Sequence, residues 1–150
     1  MPSIGRKKVV GTASRAEMNT VMVTAALIIE QGKILVTQRK KGAPHGLLWE
    51  FPGGKLMEGE EPREALRREL KEELEVEVEV GMMFDAVYYS YPEYPILLMV
   101  YRCRIKKGFL RPLGCHALRW VNLRELEKLV MPPADDPIRK HLGSIEEGLL

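Results

Sequence analysis

The sequence is poor in cysteine and aromatic residues, has no long apolar run and carries almost no net charge. Its two cysteines, Cys103 and Cys115, lie in no metal-binding spacing, so we expect free thiols in a reducing cytosol, with a disulfide as the alternative. No apolar run reaches the roughly 20 residues of a membrane-spanning helix. The formal net charge of +2 gives no broad basic surface for a nucleic acid polymer or a membrane. These absences favour a cytoplasmic protein with neither as its partner.

Length and composition predict one domain preceded by a basic arm. A chain of 150 residues, 45% hydrophobic and 29% charged, is long enough to bury one core. Residues 1–19 have little periodicity, several basic residues and a single acidic residue, Glu17. They also lack the apolar stretch of a secretory signal. We predict a flexible N-terminal arm over residues 1–19 and a folded domain over residues 20–150.

An acidic helix over residues 62–74 is the strongest local prediction. Pro62 suits the first helical position, because its missing N–H has no intrahelical partner there. At about 100° per residue, three leucines form a stripe and three glutamates share the adjacent face: Leu66, Leu70 and Leu74, and Glu69, Glu72 and Glu73. Like charges at this spacing repel. Either the glutamates form a solvated acidic face, or they bind a hard divalent cation such as Mg²⁺.

The spacing around this helix resembles the Nudix box. That family's pattern is a glycine, five residues, a glutamate, seven residues, Arg-Glu, an aliphatic residue, any residue, Glu-Glu, any residue, a glycine and an aliphatic residue. The chain matches it at Gly54, Glu60, Arg68, Glu69, Leu70, Glu72, Glu73 and Val76. It departs at Glu75, where the family glycine ends the helix with a positive φ. Glu75 must adopt that conformation with modest strain, or the helix ends differently.

The resemblance also implies a role for each residue of the box. Mg²⁺, with Mn²⁺ as an alternative, would be held by carboxylates and one carbonyl: Glu69, Glu72, Glu73 and the Gly53 carbonyl, with Glu60 in an outer or water-mediated contact. Arg68 would orient a carboxylate, which makes Arg68, Glu69 and Glu72 the catalytic set. The cation would neutralise the phosphate oxygens and activate water for attack on phosphorus.

One expected carboxylate is missing. MutT-like relatives often carry a further glutamate just before a late strand, where it acts as a ligand or a base. Here that slot falls on Gly114, beside Cys115. We therefore keep two candidates for the general base, Glu69 and His116.

Alternating and β-branched runs predict a sheet around the helix. Strands are predicted over residues 20–29, 33–38, 76–80, 82–90, 96–105 and 117–121, with a turn at Gln31 and Gly32 and a break at Gly81. Asn122 and Glu125 predict a capping box for a second helix, and a last helix is predicted from Pro137. The class is mixed α/β. The resemblance, over about residues 20–142, implies the Nudix α/β/α sandwich with a mixed central sheet.

Candidate substrate-binding residues come from the same resemblance: Met22, Thr24, Arg39, Phe51, Tyr91, Ile96 and Asp135. Arg39 either faces substrate phosphates or is a charged strand end. Tyr91 either stacks on a base or packs within the sheet. Asp135 either reads a base, because carboxylates accept hydrogen bonds from exocyclic amino groups, or caps the last helix.

The string Trp-Glu-Phe-Pro-Gly-Gly-Lys at residues 49–55 resembles the nucleoside triphosphate branch of the family. The implied function is a (deoxy)nucleoside triphosphate pyrophosphohydrolase in nucleotide-pool sanitation, with 8-oxo-dGTP or cytidine nucleotides as candidates. Aspartate at position 135 resembles the CTP pyrophosphohydrolase branch more than MutT itself. Two alternatives are a Nudix hydrolase of another nucleoside diphosphate compound, such as ADP-ribose, and a catalytically weak nucleotide sensor. Either a monomer or a homodimer is expected.

Overall fold

A computed structural model describes residues 19–145, and its centre is a mixed sheet between two helical layers. The strands are β1 (Val21–Glu30), β2 (Lys33–Gln38), β3 (Trp49–Glu50), β4 (Gly53–Lys55), β5 (Glu77–Ser90), β6 (Pro95–Lys107) and β7 (Ala117–Val121). The helices are α1 (Pro62–Leu74), α2 (Leu123–Lys128) and α3 (Asp136–Gly143), with a 3₁₀ turn at Pro133–Asp135. The predicted arm over residues 1–19 lies outside the described residues, apart from Asn19.

Strand β1 connects the parts of the sheet. It runs parallel to β6, with Val21 opposite Ile96, and antiparallel to β4 and to the first residues of β2. β5 pairs with β6 at one edge, while β2 pairs with both β3 and β7. At the β1–β2 hairpin Gln31 and Gly32 have φ of 51° and 75°, as a two-residue turn with both central residues at positive φ requires. The predicted turn and mixed α/β class are confirmed.

The two faces of the sheet bury separate apolar clusters, because successive strand side chains point to opposite faces. One cluster joins the sheet to the leucine stripe of α1: Ala26, Ile28, Leu66, Leu70 and Leu74. The other joins it to α2 and α3: Ala25, Leu27, Leu126, Ile138 and Leu142. Each fully buried leucine contributes about 1.5–3 kcal/mol. The helices thus cover both faces, which is the expected sandwich.

Several boundaries differ from the sequence prediction: strand ends shift by one or two residues, and the short strands β3 and β4 were not predicted. Gly81 does not break the chain into two strands, because β5 continues through it with register shifts between Val80 and Asp85. A Cβ on residue 81 would lie 2.9 Å from the Arg102 carbonyl oxygen, so glycine serves close strand approach here rather than a turn. The last helix begins at Asp136, one residue early.

The predicted capping box of α2 is confirmed. Asn122 Oδ1 accepts the Glu125 N–H at 2.8 Å, and Glu125 Oε1 accepts the Asn122 N–H at 3.1 Å. Cys103 and Cys115 are buried and unpaired. Within residues 19–145, no helix has the length and apolarity needed to cross a membrane.

Candidate active site

Arg68 organises the acidic face of α1. Its Nε and Nη2 donate to the two oxygens of Glu60 at 2.8 and 2.9 Å. Its Nη1 donates to Glu69 at 3.0 Å and to Glu72 at 3.1 Å, and Nη2 also donates to the Lys55 carbonyl at 3.1 Å. A guanidinium group can hold several acceptors in one plane because its donors are fixed. The geometry therefore allows Arg68 to orient carboxylates, as predicted.

Glu60 is tied to Arg68 rather than turned to solvent. The Arg68 hydrogen bonds, and next the Met57 N–H, lower the pKa of Glu60 to about 2. It is therefore a carboxylate at any physiological pH and anchors the guanidinium from the loop before α1. Its predicted outer contact with a cation stays a prediction.

The glycine pair of β4 allows close approach on both sides. A Cβ on Gly53 would collide with the Thr24 carbonyl of β1, and a Cβ on Gly54 would collide with the Glu69 carboxylate. Only glycine lets the backbone touch both neighbours. Thr24 Oγ1 also donates to the Gly54 carbonyl at 3.3 Å. The motif therefore brings the backbone of β4 directly beside the Glu69 carboxylate.

The electrostatics of this face fit a hard cation. Burial and then the charge of Glu50 raise the pKa of Glu73 to about 8. Burial also raises the pKa of Glu69, which Arg68 opposes and the charges of Glu72 and Glu60 reinforce. Crowded, partly desolvated carboxylates are stabilised by a divalent ion with oxygen ligands.

The cation ligands are not yet assembled around one point. Within the described residues, no three His, Cys, Asp or Glu side chains converge as a ready-made metal site. Arg68 draws the carboxylates of Glu69 and Glu72 towards itself. The predicted ligand set thus shares one face and remains a prediction.

Helix α1 ends with Glu75 in a left-handed conformation, which is the first of the two endings expected from the sequence. Glu75 adopts φ 59° and ψ 34°, and its N–H donates to the Lys71 carbonyl at 3.0 Å. A left-handed non-glycine residue costs roughly 1–2 kcal/mol. The departure from the family pattern therefore changes local strain and not the path of the chain.

A cavity of about 450 Å³ lies beside the acidic face, a volume suited to a small ligand. Six of the seven predicted substrate-binding residues line it: Thr24, Arg39, Phe51, Tyr91, Ile96 and Asp135. Gly53, Gly54 and Lys55 line it too, so the cavity and the acidic face share β4.

Met22 is the predicted binding residue that the fold places elsewhere. It packs with the cluster beneath α1, near Leu56 and Leu97, whereas Val23 and Ala25 line the cavity. Strand alternation turns the Met22 side chain away from the face of Val23 and Ala25. Thr24 shares the face of Met22 but reaches the cavity because it pairs with Gly54 of β4.

Asp135 does not cap α3, so that alternative is wrong. Its backbone is at the cap position, but its side chain makes no capping hydrogen bond. It is 6% exposed, lines the cavity and makes no side-chain hydrogen bond with residues 19–145. Burial, then the Glu50 charge, raises its pKa well above the usual value, with Arg139 opposing. A buried carboxyl group without a partner is costly and is available to a ligand.

Tyr91 packs against neighbouring aromatic rings, and its stacking on a base stays a prediction. Its hydroxyl accepts the Ala134 N–H at 3.1 Å, which fixes the turn that carries Asp135. Its ring lies 4.6 Å from that of Tyr89 and 5.4 Å from that of His45. The ring therefore packs on its neighbours and also lines the cavity.

Arg39 is held at the cavity wall by a residue that the sequence analysis did not select. Its Nη1 donates to both oxygens of Glu50, at 3.1 and 3.2 Å. Glu50 lines the cavity and lies in β3, three residues before Gly53. The sequence does contain a signal for Glu50. It is the one acidic residue in the string Trp-Glu-Phe-Pro, which leads directly into Gly53 and Gly54.

The candidate bases differ in position. Glu69 lies on the acidic face, whereas His116 is exposed beside the end of β2, where its N–H donates to the Gln38 carbonyl at 2.8 Å. Gly114 packs against the end of α1, where its N–H donates to the Glu73 carbonyl at 3.0 Å. Burial raises the pKa of the neighbouring Cys115 to about 11, so that thiol is not a substitute base near neutral pH.

Comparison with known proteins agrees with this geometry. A family model described as NUDIX domain matches residues 24–141. The CTP pyrophosphohydrolase of Escherichia coli is 36% identical over 121 residues, covering 81% of this chain and 90% of that protein. An 8-oxo-dGTP diphosphatase of E. coli is 32% identical over 111 residues, covering 73% and 84%.

Solved structures give the same result. The E. coli ORF135 protein superposes with a TM-score of 0.76 at 33% identity, covering 86% of this chain and 92% of that one. The MutT protein of Methanosarcina mazei superposes with a TM-score of 0.74 at 22% identity, covering 85% and 93%, which supports the fold alone. The chain belongs to the Nudix family, as a MutT-like hydrolase of phosphorus anhydride bonds. Nudix hydrolases generally depend on a divalent metal.

Proposed function

We propose that the protein is a Mg²⁺-dependent pyrophosphohydrolase that cleaves (deoxy)nucleoside triphosphates to a nucleoside monophosphate and pyrophosphate. One observation carries the proposal: β4 joins an acidic face ordered by Arg68 to a cavity that contains the buried, unpartnered Asp135. A phosphate chain fits the first region and a base fits the second. The names of the curated relatives, CTP pyrophosphohydrolase and 8-oxo-dGTP diphosphatase, support the same substrate class.

The catalytic half acts on the phosphates. Arg68 orients the carboxylates of Glu69 and Glu72, and Gly53 offers its carbonyl beside them. These groups, with Glu73 and an outer contact from Glu60, would hold Mg²⁺ or Mn²⁺, which neutralises phosphate oxygens and activates water. Glu69 is the favoured general base, since it lies on this face and burial raises its pKa towards the working pH.

The binding half selects the base. Phe51 and Ile96 are buried apolar walls, and Tyr91 offers an aromatic surface. Asp135 can accept from an exocyclic amino group, such as N4 of cytosine. Arg39 places a positive charge at the same wall for the phosphates. Cytidine nucleotides and 8-oxo-dGTP are therefore the substrates to compare, in a cytoplasmic enzyme that cleanses the nucleotide pool.

The test is release of pyrophosphate and phosphate with Mg²⁺ from CTP, dCTP, 5-methyl-dCTP, 8-oxo-dGTP, dGTP and ADP-ribose. Wild-type protein is run beside Glu72→Gln. Pyrophosphate from one triphosphate, lost in the variant, is the expected result and identifies the base. Activity restricted to ADP-ribose would reject the triphosphate substrate and the base-reading role of Asp135. Tight binding without turnover would point to the sensor function.

A further inference from the structure

The loop that connects β2 to β3 forms part of the cavity wall and contains unusual backbone conformations. Gly42, His45 and Leu47 have φ of 90°, 56° and 63°, and residues with a side chain rarely adopt positive φ. Within this loop, His45 and Pro44 line the cavity. Hydrogen bonds from the end of β2 and from the first loop residue hold it in place, one of them from Gln38 Nε2 to the Leu47 carbonyl at 3.0 Å.

Arg39 supplies the contact near the loop's tip. Its Nε donates to the Pro44 carbonyl at 2.6 Å, while its backbone N–H and carbonyl pair with Leu48 and Leu47 at the loop's end. The guanidinium thus joins the tip to β2. Among residues 19–145, no hydrogen bond is made by Arg39 Nη2, although Arg39 lines the cavity.

Glu50 fixes the direction of that guanidinium. Both of its oxygens accept from Nη1, and the two side chains are 31% and 24% exposed. A charge-assisted contact in such a partly enclosed place is stronger than an exposed ion pair. β3 holds Glu50 opposite Thr37 of β2, so the carboxylate has a rigid base.

We propose that Glu50 is a positioning residue: by holding Arg39 it sets both the guanidinium face offered to substrate phosphate and the place of His45 in the cavity wall. Without Arg39 beside it, the Glu50 carboxylate would only repel a polyanion. With the pair formed, Nη1 and Nε are occupied and Nη2 remains for a phosphate oxygen. The phosphate part of this inference rests on the proposed function; the loop-holding part does not.

A matched set of variants tests the inference. Glu50→Gln keeps the shape but removes the charge that orients Arg39, and Arg39→Lys keeps the positive charge but removes the directed pair of donors. Glu79→Gln is the control, because it weakens an ion pair with Arg104 whose side chains are 59% and 69% exposed, away from the cavity.

Steady-state kinetics with the triphosphate that wild type prefers give the first readout. We expect Glu50→Gln to raise KM about 5–20-fold with kcat within about twofold, as loss of binding shared by ground and transition states predicts. Adding Glu50→Gln to Arg39→Lys should change KM by less than about twofold, because both act through one group. Glu79→Gln should match wild type.

Nuclear magnetic resonance gives a readout independent of turnover. The Arg39 Nε–H should exchange slowly with water in wild type and Glu79→Gln, and quickly in Glu50→Gln. The His45 ring resonances should shift in Glu50→Gln, because Tyr91 lies beside that ring. Thermal unfolding of each variant confirms that it is folded.

The outcomes separate the two proposals. If wild type hydrolyses no triphosphate, the proposed function fails, and the exchange measurement still decides the loop-holding role. Unchanged KM and slow Arg39 exchange in Glu50→Gln would overturn the inference. So would additive effects in the double variant, or a loss confined to kcat.

Discussion

The acidic face and the cavity are neighbours built in opposite ways. The acidic face comes from one stretch, residues 53–73, and three of its carboxylates, those of Glu60, Glu69 and Glu72, are joined by a single guanidinium. The cavity needs β1, the β2–β3 loop, β3 and β4, the β5–β6 connection and the turn before α3, and its one buried acid has no partner there. Under the proposed function, the cleavage chemistry would depend on one local stretch of sequence, whereas the choice of substrate would depend on the tertiary structure. Changes to the first should affect all substrates alike, and changes to the second should affect their ranking.

The largest effect expected is on the acidic face. Glu69→Gln should lower kcat about 10³-fold for every nucleotide cleaved, since it removes a charge that positions the cation and the water. His116→Ala should stay within about threefold, because His116 is exposed and lies off the acidic face. Measuring kcat and KM on two triphosphates checks both. A near-normal Glu69→Gln beside an inactive His116→Ala would reverse the assignment of the base.

Arg68→Lys should have the next largest effect. A lysine keeps the charge but cannot hold Glu60, Glu69 and Glu72 together, and disturbing the partners that orient ligands typically costs 10–100-fold. We therefore expect kcat to fall about 10–100-fold, while the preference between CTP and 8-oxo-dGTP stays unchanged. A changed preference would show that the two regions are not separable. In the same assay, Arg68→Lys should need a higher Mg²⁺ concentration than wild type to reach half of its maximal rate.

Because Asp135 is buried in the cavity wall, the stability of the protein should depend on pH. Asp135→Asn should remove that dependence. The folded state raises the pKa of Asp135, so it keeps a proton that the unfolded chain, with a pKa of about 3.9, has lost. The stabilisation is fully present below about pH 4 and is lost as pH rises through the folded pKa. Relative to Asp135→Asn, wild type should therefore lose stability steadily as the pH rises above about 4. Urea unfolding at several pH values measures this, and parallel curves would contradict it.

The smallest effect concerns the end of α1. Glu75→Gly relieves a left-handed conformation at the expense of chain entropy and an exposed contact with Arg111, so we expect a gain of about 0.5–1 kcal/mol. The midpoint of urea unfolding should rise while kcat stays unchanged. A loss of stability would mean that the contact with Arg111 outweighs the strain.

The same contrast explains what could be predicted from sequence. The helix, its leucine stripe, the glycine pair and the Asn122 capping box depend on neighbours within a few residues. Met22 was misplaced because alternation tells which residues of β1 share a face, but not which face α1 covers. The Arg39–Glu50 pair was missed because it forms only when β2 and β3 align across a loop. For Asp135, base reading and helix capping were both plausible from the sequence, and only the structure shows that its side chain makes no capping hydrogen bond.

The parallel pairing of β1 with β6 sets a limit on how the chain can fold. β1 meets its partner about 75 residues later, and such distant pairings form slowly. A growing chain that has left the ribosome through α1 already carries the whole acidic motif but lacks the strand that completes its support. Until β6 emerges, the apolar faces of β1 have no permanent cover and are open to aggregation or to chaperones. The catalytic motif is thus made early and becomes useful late, when synthesis has passed residue 107.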